Sequence, residues 1–219
     1  MSALVDYMLS NGAMTGGMVG FWAVASFATN YPKAQIVPDS FAVMSFFLGI
    51  AVFVGYLDEL FLMSLTVTFM VATVVPLFAT KGYDMVFHHV VTVILICMGC
   101  SSEQALQQKF MTITLQVELS SPFISHWRRH PTKARLGLML AAFFVVRIAG
   151  FGAYMAYLVF LAATPNELFD PRPVHRGIVA VHALLFAMFI FWFQKMVKKY
   201  IKYDEKAELA KSLVRTKAK

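Results

Sequence analysis

A few side chains in this sequence have the chemistry to move or hold a proton in apolar surroundings. His88 and His89 are adjacent, near the start of the apolar run from Met85 to Cys100. Glu118, Arg147 and His182 each interrupt a later apolar run. Neutral imidazole is a suitable general base near neutral pH, able to take a proton from an amine or hydroxyl attacking a thioester. The alternative is that His88 and His89 hydrogen-bond to neighbouring helices or to lipid headgroups. Successive helical residues are about 100° apart, so the two rings cannot point along one direction. Thr92 follows His88 by four residues and His89 by three, and can share a face with either.

Other chemistries are less well supplied. Two adjacent histidines with no further close ligand make a poor metal site, and no metal or cofactor is expected. Cys97 and Cys100 are spaced C-x-x-C inside an apolar helix without partners, so they read as small apolar packing groups. No Lys lies in the middle of an apolar run, which removes the Schiff-base chemistry of a retinal-type photoreceptor.

Glu118 and Arg147 fall on consecutive antiparallel segments at similar depth. A lone buried charge of either kind is very unfavourable, so the spacing predicts that they pair or share a hydrogen-bond network. That pair either fixes helix register or belongs to a functional site. Pro122 cannot donate to the carbonyl of Glu118, four residues back, which predicts a kink with an open acceptor beside the carboxylate. Ser120 and Ser121 are placed to satisfy the freed backbone groups.

The elements that must position these groups are membrane helices. Of 219 residues 59% are hydrophobic and only 14% charged, with mean hydropathy +0.66. A soluble domain carries roughly 25% charge, so lipid is the natural solvent for this chain. The expected fold class is all-α, a polytopic bundle of about seven spans: 12–28, 41–56, 60–78, 85–100, 104–123, 136–163 and 177–193. Each is near the roughly 20 residues needed to cross. The chain divides into an N-terminal helix and loop (1–40), a membrane domain (41–195) and a basic tail (196–219).

Charge distribution orients the bundle. With seven spans, 15 of the 19 Lys and Arg residues fall on the side of the C-terminal tail. The positive-inside rule then puts the tail on the cytosolic or matrix side. From that side, His88 and His89 are about one turn deep (~6 Å), Glu118 ~10 Å and Arg147 ~17 Å, with His182 nearer the opposite face. No Lys or Arg precedes Lys33, which argues against a cleaved secretory signal or an Arg-rich transit peptide. The net charge of +7 needs no nucleic-acid partner, and no fold motif of that kind occurs. Gly12, Gly16 and Gly20 let helix backbones approach closely. They serve packing within the bundle or contacts with another membrane subunit, the former being the simpler expectation.

Three stretches in order resemble the TLC-domain family, the membrane fold shared by ceramide synthases and several smaller lipid-related proteins. They are Tyr83-Asp84-Met85-Val86-Phe87-His88-His89-Val90-Val91-Thr92, Glu118-Leu119-Ser120-Ser121-Pro122-Phe123 and Phe144-Val145-Val146-Arg147-Ile148. The resemblance covers roughly Phe41 to Lys195. It implies six helices in a barrel around a lipid-accessible cavity, with an extra helix at the N-terminus. In ceramide synthases the paired histidines line that cavity and are linked to acyl transfer from acyl-CoA; those positions are His88 and His89 here. The synthases carry a His-Asp and a further Asp where this chain reads Thr114-Leu115-Gln116-Val117-Glu118. The resemblance is therefore closer to the smaller TLC proteins.

The leading expectation is a protein that binds or senses membrane lipid and influences lipid composition, with Thr92, Glu118, Pro122, Arg147 and His182 lining or bracing the cavity. The alternatives are an acyl-CoA-dependent N-acyltransferase using His88 or His89 as base, and an accessory subunit of a larger membrane complex contacting its partners through Gly12, Gly16 and Gly20. The endoplasmic reticulum is the expected location, with the mitochondrial inner membrane as alternative.

Overall fold

A computed structural model describes residues 3–29, 36–80, 82–99, 116–164 and 173–203. Among them every regular element is helical. Eight helices follow in order: α1 (Ala3–Ser10), α2 (Gly12–Ala28), α3 (Ile36–Phe53), α4 (Glu59–Ala79), α5 (Tyr83–Gly99), α6 (Ser121–Arg129), α7 (Lys133–Ala163) and α8 (Pro173–Ile201). A 3-10 turn, Gln116–Ser120, leads into α6, and α7 contains a π-helical turn at Phe144–Gly150.

Helices α4, α7 and most of α8 are long and apolar enough to cross a membrane, and α2, α3 and α5 are shorter apolar helices. Large apolar side chains such as Phe27, Phe47, Val75 and Phe191 stand exposed on the bundle's outside. A water-soluble surface would not spread so many; hydrocarbon solvates them without cost. The molecule is a helical membrane bundle.

Local sequence explains most boundaries. The weakest expected boundary, between the second and third spans, resolves into a sharp reversal. Helix α3 stops at Phe53, Gly55 takes φ 81°, and the Tyr56 amide returns to the Ala51 carbonyl at 2.8 Å. Glycine adopts that left-handed conformation without steric cost. Asp58 then caps α4 by accepting the Leu60 amide at 2.7 Å. Thr132 caps α7 in the same way through the Arg135 amide. Helix α1 lies outside the seven expected spans; it ends where Asn11 turns its side-chain amide back to the Tyr7 carbonyl, and it buries Leu4 completely.

Packing runs in a closed circuit. Helix α3 packs on α4, α4 on α5, α5 on α8, α8 on α7, α7 on the segment 116–129, and that segment on α3. Helix α2 lies on the outside of α4. Helix α4 packs against α1, α2, α3 and α5, and Ser64, Thr66, Thr68 and Thr73 are all buried. The three threonines donate to carbonyls three or four residues back, at Leu62, Leu65 and Phe69. An otherwise apolar helix so carries hydroxyls inward at little polar cost.

The glycine stripe corrects an expectation. A Cβ built on Gly12, Gly16, Gly17 or Gly20 would meet nothing within 4 Å. The stripe is not a packing seam among the described residues; α2 instead meets α4 through Trp22, which is edge-on to Phe69 at 5.2 Å. The fifth expected span up to residue 115, Cys100 and the tail beyond Tyr203 lie outside the described residues.

Candidate functional site

Helix α5 presents its two histidines to different neighbours, as their angular offset requires. His89 faces α4, where its Nδ1–H donates to Thr73 Oγ1 at 3.1 Å, the Thr73 hydroxyl being already given to the Phe69 carbonyl. His88 faces the segment 116–120, where its Nε2–H donates to Glu118 Oε1 at 3.3 Å. Phe189 and Trp192 of α8 flank the His88 ring at 6.1 and 5.7 Å between centroids.

Glu118 is the hub. Its Oε2 accepts from Arg147 Nη2 at 3.2 Å and from Ser121 Oγ at 2.8 Å. The same guanidinium donates through Nε to Ser120 Oγ at 2.7 Å and to the Val117 carbonyl at 3.2 Å, and through Nη2 to Ser121 Oγ at 3.2 Å. Its carbon lies 4.9 Å from the Phe189 ring centre and 5.3 Å from that of Phe143. A planar guanidinium suits this double duty of forked donation and ring stacking. Arg147 thus threads one ion pair through four oxygens and two aromatic faces while only 3% exposed.

Two backbone irregularities make room for this. Arg147 occupies the π turn of α7, where the ladder is interrupted; such turns recur at functional sites. Opposite it, the chain changes from 3-10 to α at Ser120–Ser121, with Pro122 in the first turn of α6. The kink expected at Pro122 is in fact a helix start, where a missing N–H costs nothing. Ser120 donates to the Val117 carbonyl at 3.1 Å, not to the Glu118 carbonyl that Pro122 frees, and Ser121 serves the carboxylate instead.

A small cavity adjoins the cluster. Its walls are Met70 of α4, His88, Thr92, Leu95 and Ile96 of α5, Val117 and Glu118, Phe151 of α7, and Leu185 and Phe189 of α8. Its volume is about 20 Å³, room for the centre of one water-sized group. His88, Thr92 and Glu118 therefore share one space. Arg147 stands behind Glu118, His89 on the α4 side, and Pro122 in α6; none of these three lines the cavity. His182 is buried on α8, its Nδ1–H on the Ile178 carbonyl at 2.9 Å and its ring stacked at 5.7 Å on Phe151, which is a cavity wall.

Thr73, Phe189 and Trp192 escape sequence reasoning. Threonine in an apolar helix usually bonds its own backbone, and aromatic residues are abundant throughout this chain, so neither type signals a partner. The outer charge cluster escapes it too. Asp39, at the start of α3, accepts from Ser125 Oγ and Arg129 Nη2 of α6. Among the described residues no group of three or more His, Cys, Asp or Glu side chains is arranged to hold a metal ion.

No curated protein and no solved structure matches the chain. A family description does: the TLC domain, over residues 13–198. The match starts inside α2, ahead of the motif-bearing stretch, and takes in every element of the circuit. With the paired histidines, the Glu118 segment and Arg147 gathered at its centre, the chain belongs to the TLC-domain family.

Proposed function

We propose that this protein binds or senses a membrane lipid and through it influences membrane lipid composition. The observation that carries this reading is the cavity beside His88. His88, Thr92 and Glu118 are among its lining residues, and the rest of its wall is apolar, from Met70, Leu95, Ile96, Val117, Phe151, Leu185 and Phe189. A polar point on an apolar wall is the arrangement that orients an amphiphile. The closed circuit of helices supports the barrel reading, with this cavity inside it.

A second reading, N-acyl transfer from acyl-CoA, is favoured by one observation. Glu118 holds the Nε2 side of His88, which orients the ring as a carboxylate orients a general base. A third, an accessory subunit of a membrane complex, is favoured by the open Gly12–Gly16–Gly20 face of α2.

One preparation tests all three. The full chain, purified in mild detergent, is extracted for lipid analysis and incubated with acyl-CoA and a long-chain amine. The expected result is stoichiometric copurified lipid, depleted by His88→Phe, and no amide product. Amide formation that disappears in His88→Phe would replace the first reading with the second. A stable stoichiometric assembly with other membrane subunits, carrying no lipid, would replace it with the third.

A further inference from the structure

Resting on that lipid-binding reading, we propose that the site selects an uncharged lipid alcohol, whose hydroxyl sits between His88 Nδ1 and Thr92 Oγ1. Glu118 already accepts from Arg147 and Ser121, so it behaves as a carboxylate, and His88 must give it the Nε2 proton. A neutral ring then carries its lone pair on Nδ1. Among the described residues that Nδ1 has no hydrogen-bond partner, although His88 is only 3% exposed. The ligand group that completes it is a donor.

Thr92 supplies the complementary half. Thr66, Thr68 and Thr73 spend their hydroxyls on their own helix. Thr92, one turn beyond His88 and also buried in the cavity wall, does not: its Oγ1 has no partner among the described residues. Two residues with unmet polar atoms, on successive turns of α5, line one small space. A hydroxyl meets both, donating to Nδ1 and accepting from Thr92.

Size and charge narrow the class. About 20 Å³ admits one water-sized group, which a hydroxyl is and a carboxylate or phosphate is not. The one cation of the cluster, Arg147, is committed to Glu118, Ser120, Ser121 and Val117, so an anion entering beside Glu118 would meet like charge without compensation. An ammonium would bring three donors to two acceptors and lose its hydration against apolar walls. With only the hydroxyl seated in this space, the hydrocarbon chain lies outside it.

The test uses chain-matched probes on the full chain in zwitterionic nanodiscs, with occupancy read by native mass spectrometry. The probes are hexadecanol, its methyl ether, hexadecanoic acid and hexadecylamine. Hexadecanol should bind at least about tenfold more tightly than the other three, the worth of one or two well-made buried hydrogen bonds. Thr92→Val, which keeps shape, should erase most of that preference, and Thr92→Ser should keep it. Equal binding of ether, acid or amine in the unmodified chain would overturn the hydroxyl assignment while leaving lipid binding intact. Failure of all four probes, with no lipid copurifying, would overturn both.

Discussion

Two guanidinium–carboxylate pairs anchor the short segment 116–129 to its neighbours, in opposite surroundings. In the inner pair, Arg147 and Glu118 side chains are 4% and 14% exposed. In the outer pair, Arg129 is 53% exposed and Asp39 16%. The inner guanidinium has oxygens of Val117, Glu118, Ser120 and Ser121 and two ring faces arranged about it. The outer one meets Asp39, which also takes the Ser125 hydroxyl. The same two ions thus make a framework in one place and a clasp in the other. Inside, desolvation is severe and every donor must find an acceptor; outside, water replaces whatever is removed.

That contrast can be broken by mutation, most severely at the inner pair. Glu118→Leu or Arg147→Met alone leaves one buried charge uncompensated, at a cost of about 3–5 kcal/mol. Each should abolish a cooperative thermal transition in detergent, and the double variant should regain part of it. Single variants no worse than an outer-pair variant would sink the distinction between framework and clasp. Thr73→Val removes the acceptor from His89 and should cost about 0.6 kcal/mol, up to about 1.7, as interhelical hydrogen bonds in membranes do. A small drop in melting midpoint without loss of copurified lipid is the expected signature.

The outer pair should show itself mainly through salt. Asp39→Asn keeps the Ser125 contact and should cost no more than about 1 kcal/mol, a difference that shrinks as salt is raised. A salt-independent loss above that would show that the Asp39 clasp is as buried in effect as the inner pair. Gly16→Leu should leave the melting midpoint of the isolated chain unchanged, because its side chain enters open space. A lowered midpoint would place the glycine stripe inside the bundle after all.

Several features were legible from residue types alone. The apolar runs marked α2, α3, α4, α5, α7 and α8 to within a few residues at most ends, because a membrane span needs length and hydrophobicity and little else. The Glu118–Arg147 pairing followed from the cost of leaving either charge alone in an apolar medium. The divergence of His88 and His89 followed from helix geometry. The three spaced motifs placed the chain in its family before any contact was known.

What the sequence could not decide were matters of mutual placement. Pro122 prohibits one hydrogen bond, but whether that makes a kink or a helix start depends on what precedes it, here a 3-10 turn held by Arg147. The π turn that carries Arg147 has no residue signature, and the acceptors its guanidinium meets lie across the interface, in the segment 117–121. The open face of the Gly12–Gly16–Gly20 stripe could not be read from spacing, since small residues permit close packing without requiring it. Most of all, only the tertiary structure assigned His88 to a carboxylate and a cavity, and His89 to Thr73. One residue's step along a helix turns a side chain by about 100°, and the neighbours that fill each direction come from distant parts of the chain.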